Sequence, residues 1–121
     1  MNNKETFQFN LMKQGMISGG LTALDRLMLE RDFDREQETF LYDMLDEFSG
    51  KPDFKYREFE RRADELFGWN YQDVKGLMIS LHEDNRWSEV VYQYLKSNLE
   101  SMGNLSCEYN GIARELGLFP S

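Results

Sequence analysis

Apolar residues recur every three or four positions along most of the chain, which is the period of one face of an α-helix. No segment has the sustained alternation of a strong strand. The sequence therefore predicts an all-α fold, a single multihelical domain of five or six short helices joined by short loops. The apolar stripes lie at 21–28, 40–48, 56–67, 74–81, 87–102 and 109–116.

Residues with capping chemistry mark the expected helix ends. Asp34, followed three residues later by Gln37, has the spacing of a capping box at a helix start. Thr22, Asp53 and Asn70 are predicted to cap three other helices, because their side chains can accept hydrogen bonds from free backbone N–H groups. The expected helix stops are Gly50, Gly68, Gly103 and Gly117.

The first 20 residues form a separate unit in the predicted organisation, with 1–20 an N-terminal arm or short helix and 21–121 the helical domain. Gly15, Gly19 and Gly20 interrupt the apolar residues of this stretch. A short helix over about 4–14 is one interpretation. The alternation at 7–11 also fits a strand, and a third possibility is an arm that orders only against a partner chain.

Charge and length limit the classes of function. The 121 residues hold 14 Lys and Arg against 22 Asp and Glu, for a net charge of −8. A net anion is repelled by phosphate, which argues against broad binding of nucleic acid or anionic membranes. The single cysteine, Cys107, excludes an intramolecular disulfide framework, and no apolar leader or membrane-spanning stretch is evident. We therefore expect a cytoplasmic protein without membrane association.

Candidate chemistry is sparse. An ordinary zinc site needs three or four ligands, and the chain has one His, His82, beside Cys107. We expect His82 to be a helix-end histidine and Cys107 a buried thiol. No catalytic, cofactor-binding or metal-ligating residue is predicted, and the protein is not expected to be an enzyme. An alternative is a small metal protein or enzyme that collects His82 from several chains across an oligomer axis.

One stretch is rich in basic residues. Within 51–62, five basic side chains alternate with carboxylates at spacings of three and four, which is typical of a solvated, ion-paired helix face. The alternative function is nucleic-acid binding through this 51–62 helix. The basic residues are Lys51, Lys55, Arg57, Arg61 and Arg62.

Aromatic residues and methionines near helix ends exceed what one small core needs, and exposed residues of these types favour protein–protein contact. We therefore interpret the chain as a non-enzymatic protein-interaction module, a small bacterial or bacteriophage regulator or inhibitor that binds an unidentified protein and forms a homo-oligomer. The predicted apolar contacts are Phe7, Phe9, Met12, Met16, Ile17, Trp87 and Tyr94. The predicted acidic contacts, which orient the partner, are Glu36, Asp43, Asp46 and Glu47.

Between Leu24 and Leu95 the order of signals resembles the YhaI-like family, small helical proteins of unknown function from Bacillus-type bacteria. The resemblance implies a multihelical, oligomeric domain of the cytoplasm and supplies no activity. The first 20 residues depart from it, because the family has a heptad-like helix where glycines interrupt this chain. The matching segments are Leu24-Asp25-Arg26-Leu27, Asp43-Met44-Leu45-Asp46-Glu47, Gly50, Phe59, Asp73, Leu81, Trp87-Ser88-Glu89 and Tyr94-Leu95.

Overall fold

The computed structural model describes residues 3–17 and 20–119, without the side chains of 15–17. This part of the chain contains seven α-helices and no strand, so the all-α prediction is confirmed and the predicted number of five or six is wrong. The helices are α1 (Asn3–Ile17), α2 (Ala23–Glu30), α3 (Arg35–Ser49), α4 (Tyr56–Phe67), α5 (Tyr71–Glu83), α6 (Ser88–Met102) and α7 (Cys107–Glu115).

The additional helix is α1, which continues through Gly15. Phe7 and Leu11 lie one turn apart on its inner side and are buried, and α1 packs against α3. Burial of these two side chains outweighs a mid-helix glycine, which costs about 1 kcal/mol relative to alanine. The strand interpretation of 7–11 is therefore wrong, and the N-terminal segment is helical.

Three of the predicted helix starts are confirmed. Thr22 caps α2 by accepting a hydrogen bond from the backbone of Asp25. Asp34 and Gln37 form a reciprocal capping box at the start of α3. Asn70 caps α5 in the same reciprocal way. All of these bonds join residues at most three positions apart, which is why the sequence is sufficient to predict them.

The predicted cap of α4 is wrong. The helix begins at Tyr56 instead of directly after Asp53, and its N-cap residue, Lys55, makes no side-chain capping bond. The backbone N–H of Tyr56 donates instead to the hydroxyl of Ser97, in α6, at 2.9 Å. A contact between two helices thus takes the place of the local cap.

A second long-range bond fixes the start of α2. The carboxylate of Asp84 accepts the backbone N–H groups of Ala23 and Leu24, each at 2.8 Å. Asp84 is also the residue at which α5 ends. Because α2 packs along α5, one carboxylate both neutralises the positive end of α2 and ties the two helices together.

Helix α6 lies at the centre of the fold, where it packs against α3, α4, α5 and α7. Tyr94 is part of its buried face, and its ring contacts Phe59 edge-on with the ring centroids 5.8 Å apart. A second edge-on contact joins Phe59 to Phe48 at 5.1 Å. Among the described residues, no helix is both long and apolar enough to cross a membrane.

Candidate functional site

The predicted contact residues of α1 divide between its two sides. Phe7 is buried under the guanidinium of Arg35, so the expectation that it contacts a partner is wrong. Phe9 is 54% exposed and Met12 is also exposed. They are three residues apart on the outer side of the helix. Two further predicted contacts, the side chains of Met16 and Ile17, lie outside the described residues.

The inner side of α1 is held by polar contacts at the turn between α2 and α3. The ammonium group of Lys4 is 2.7 Å from a carboxylate oxygen of Asp32. This bond raises the pKa of Lys4 and lowers that of Asp32. The amide of Gln8 donates to the other Asp32 oxygen and to the backbone carbonyl of Phe33. These contacts fix the rotation of α1 and leave Phe9 facing outward.

An acidic face with an aromatic residue at its middle runs along α3. Glu36, Phe40, Asp43 and Glu47 are spaced by four, three and four residues, which places them on one side of the helix. Phe40 is 39% exposed, and the three carboxylate residues are exposed. Glu47 pairs with Arg62 at 2.8 Å. Within the described part of the chain, Glu36 and Asp43 make no ion pair. We call Glu36, Phe40 and Asp43 the α3 face.

Trp87 and Asp46, both predicted to bind a partner, bind each other. The indole Nε1 donates to a carboxylate oxygen of Asp46 at 3.0 Å. The half-buried ring also packs on Tyr42, with centroids 5.3 Å apart, and under the guanidinium of Arg86. In this structure the two residues join α3 to the start of α6.

Tyr94 is a core residue. Its side chain is 1% exposed, so the expectation that it docks a partner is wrong. The physical reason is its position in the same stripe as Val90, Val91 and Leu95, which are all buried at the centre of the fold. Its hydroxyl donates to a carboxylate oxygen of Glu60 at 2.6 Å.

The hydroxyl of Tyr94 lies beside a small cleft between four helices. The cleft has a volume of about 150 Å³. Burial raises the pKa of Tyr94, and the nearby Tyr109 and Glu60 raise it further. Burial likewise raises the pKa of Tyr109, so both phenols are neutral at physiological pH. The lining includes Glu60 of α4, Tyr71 and Lys75 of α5, Tyr94 and Met102 of α6, and Tyr109 of α7.

Sequence reasoning missed this cleft. It assigned Glu60 to the ion-paired face of α4 and Tyr109 to the apolar stripe of α7. The available signal was the chemistry of tyrosine, because a phenol within an otherwise apolar stripe needs a hydrogen-bond partner once it is buried. Which residue is the hydrogen-bond partner depends on how the helices pack. The spacing of residues along the sequence does not show this.

The basic residues of 51–62 are engaged with neighbouring side chains. Arg57 donates to the hydroxyl of Tyr56. Each of the other four lies within ion-pair distance of a carboxylate, but of these pairs only Arg61 with Glu65 has the predicted spacing, and Lys51 and Lys55 precede α4. Nucleic-acid binding through this segment stays a prediction. The pairs are Lys51 with Glu58, Lys55 with Asp53, Arg61 with Glu65, and Arg62 with Glu47.

His82 and Cys107 take no part in a common site. The ring of His82, near the end of α5, is hydrogen-bonded to Glu115 of α7. Cys107 is exposed at the start of α7, so the expectation of a buried thiol is wrong. The described ranges contain no group of three or more residues that could hold a metal ion. A metal site shared between several chains stays a prediction.

No family model matches the sequence, and neither the curated proteins nor the solved structures compared with it give a match. The resemblance to the YhaI-like family therefore stays a prediction. What the protein binds has to be inferred from the exposed groups and charges of its own chain.

Proposed function

We propose that this chain is a non-enzymatic interaction protein, a small bacterial or bacteriophage regulator or inhibitor that binds another protein through the α3 face. The observation that carries the proposal is the exposure of Phe40 between Glu36 and Asp43. Neither of these carboxylates is ion-paired within the described part of the chain. An exposed aromatic ring flanked by free charges has the composition of an interface anchor with its polar rim.

The partner of the α3 face carries positive charge. The whole chain has a net charge of −8, and the carboxylates of Glu36 and Asp43 are free to pair. Complementary charges accelerate the encounter and orient the partner, whereas the apolar contact with Phe40 slows dissociation. We therefore expect association to slow with added salt while the Phe40 contact persists.

A capture experiment with matched charge changes tests the proposal. The tagged wild type is compared in bacterial lysates with the double variant Phe40→Ala, Asp43→Lys and with the control Glu100→Lys. Glu100 is exposed on α6, and its replacement changes the net charge by the same amount as Asp43→Lys. We expect one protein to be retained stoichiometrically by the wild type and the control and lost from the double variant. The same bound proteins on all three would contradict the proposal.

A second proposal, homo-oligomerisation, is supported by the outer side of α1. Phe9 and Met12 are both exposed and both face away from the side that α1 packs into the fold. Light scattering tests it, with a mass that is a multiple of 14.4 kDa expected for the wild type. The double variant Phe9→Ser, Met12→Ser is expected to have the monomer mass. A wild-type monomer at every concentration would contradict self-association.

The cytoplasm is the proposed compartment. Cys107 is exposed, and an exposed thiol remains reduced there, whereas an oxidising compartment promotes disulfides between chains. Cell fractionation followed by immunoblotting of the tagged protein tests the location. Recovery with the soluble cytoplasmic marker is expected, and recovery with a membrane or periplasmic marker would contradict it.

A further inference from the structure

The cleft between α4, α5, α6 and α7 has exposed side chains at its rim and a polar inner end. Tyr71 and Met102 are both exposed at its rim. Tyr94 and Tyr109 belong to the core but contribute their hydroxyl ends to the lining. Asn98, Asn104 and Ser106 also line the cleft. Convergent polar groups beside aromatic and apolar side chains are the usual composition of a small ligand site.

The charges around the cleft leave one carboxylate without a cation. Lys75 lines the cleft, and its ammonium group lies 3.3 Å from a carboxylate oxygen of Glu108. Glu60 makes no ion pair with any described residue. Tyr94 donates to one oxygen of Glu60, so the other carboxylate oxygen remains free to accept a further bond. Glu60 is therefore the carboxylate of the lining that has no ion pair among the described residues, while the Lys75 ammonium in the same lining pairs with Glu108 outside it.

An independent observation points to a missing hydrogen-bond partner at the same place. The side chain of Tyr109 is 4% exposed, and its buried hydroxyl makes no hydrogen bond of normal geometry with any described residue, although the hydroxyl of Tyr94 lies close to it. A buried polar atom without a partner costs free energy, and such atoms are rare in folded proteins. Because Tyr109 lines the cleft, a polar group bound there can satisfy its hydroxyl.

We propose that the cleft binds an alkylammonium group, which donates hydrogen bonds to the free oxygen of Glu60 and to the hydroxyl oxygen of Tyr109. The ring of Tyr71 at the rim already faces the ammonium group of Lys75, 5.9 Å from its centroid, so the binding rests on Glu60 and Tyr109. The volume of about 150 Å³ leaves room for a short alkyl chain with its ammonium group. This site uses no residue of the α3 face, so it stands without the proposed function.

The ammonium group has two possible sources, a free amine or the lysine side chain of a protein. A second, more open depression of about 370 Å³ shares Glu60 and Tyr71 with the cleft and adds Asp64 to the lining. It gives a longer chain space to continue beyond the opening. Arg61 also lines this depression and lies 3.8 Å from Glu65, whereas Asp64 makes no ion pair with a described residue.

Titration with n-butylammonium chloride, followed by backbone amide chemical shifts, tests the proposal. We expect saturable shifts around Glu60, Tyr94 and Tyr109, with a millimolar dissociation constant because the ligand has few atoms. Neutral n-butanol, which has the same length, is expected to leave these signals unchanged. Glu60→Gln should weaken binding at least about tenfold because a hydrogen bond to a charged group is lost. The control Glu100→Gln should bind like the wild type.

A second variant keeps the test decisive if Glu60→Gln does not fold. Tyr109→Phe removes only the unpartnered hydroxyl and is expected to weaken n-butylammonium binding severalfold. The methylamide of N-acetyl-lysine distinguishes the sources, because tighter binding than n-butylammonium indicates a lysine side chain and weaker binding a free amine. Equal shifts with n-butanol, or amine binding that neither variant changes, would overturn the proposal. Absence of any saturable shift would overturn it as well and leave the cleft a solvent-filled gap.

Discussion

The hydroxyl of Tyr94, on the central helix, donates a 2.6 Å hydrogen bond to the carboxylate of Glu60 in α4. Tyr94 is otherwise surrounded by apolar side chains, including the rings of Tyr56 and Phe59. The bond therefore gives the only polar atom of this side chain an ionised acceptor at the edge of the core. It also fixes Glu60 beside the cleft, with one of its oxygens occupied.

Replacement of Tyr94 by Phe is expected to lower the free energy of unfolding by about 2 kcal/mol, the magnitude typical of a hydrogen bond to a charged group. Urea unfolding followed by circular dichroism measures the change. Tyr92→Phe is the matched control, because Tyr92 is half-buried on the same helix. Its effect is expected to stay within about 0.5 kcal/mol. Equal effects of the two variants would show that the Tyr94 bond contributes nothing to stability.

Tyr109→Phe is expected to behave in the opposite way. The hydroxyl of Tyr109 makes no hydrogen bond of normal geometry with any described residue, so its removal relieves a desolvation cost. We expect the free energy of unfolding to rise by about 1 kcal/mol in the absence of ligand. Thermal and urea unfolding check this. A loss comparable to that of Tyr94→Phe would mean that the hydroxyl is satisfied in the free protein.

The free energy of unfolding is expected to fall steeply at alkaline pH. Burial raises the pKa of Tyr94 and Tyr109 above the ordinary value of 10.0, so the folded state retains their protons at a pH where the unfolded state loses them. Their stabilising contribution is complete below pH 10 and is lost as the pH rises above it. The slope is about 1.4 kcal/mol per pH unit for each tyrosine.

The double variant Tyr94→Phe, Tyr109→Phe separates this effect from general base denaturation. Urea unfolding of wild type and variant between pH 8 and pH 11 measures both slopes, in buffers chosen around the ordinary tyrosine pKa. The variant is expected to lose less stability than the wild type over the alkaline part of this range. Parallel curves would contradict the raised pKa values.

Trp87 is expected to contribute to stability and not to association. Trp87→Ala removes the ring contact with Tyr42 and the bond to Asp46, which should lower the free energy of unfolding by about 2 kcal/mol for this half-buried ring. Trp87→Phe keeps a ring and loses only the N–H donor, so about 1 kcal/mol is expected. Chemical unfolding measures both. Unchanged stability with altered association would instead place Trp87 at an interface.

Helix positions and local caps were predictable, because both depend on residues a few positions apart. The bond between Asp34 and Gln37 is an example. By contrast, Asp84 caps α2 across 60 residues, and Ser97 replaces the expected cap at Tyr56 across 41. Such bonds form only when the helices pack together, so no pattern of neighbouring residues in the sequence predicts them.

The candidate site likewise contains features that the sequence predicts and features that depend on tertiary packing. Phe40, part of the predicted 40–48 stripe, is 39% exposed beside the acidic residues of α3, whereas Tyr94 shares a stripe with core residues and is buried with them. Periodicity identifies one face of a helix and does not say whether a neighbouring helix covers it. The cleft beside Glu60 forms where four helices pack together, and the sequence pattern does not predict which helices are neighbours.

Photo-crosslinking from position 40 tests partner binding through the α3 face. A photoreactive phenylalanine analogue replaces Phe40 in one variant and Tyr92, on α6, in the control. Each is irradiated in bacterial cells that produce the protein. We expect a discrete crosslinked protein from position 40 that is absent from position 92 and is lost when Asp43→Lys is added. No crosslink from position 40, or the same product from both positions, would contradict partner binding through α3.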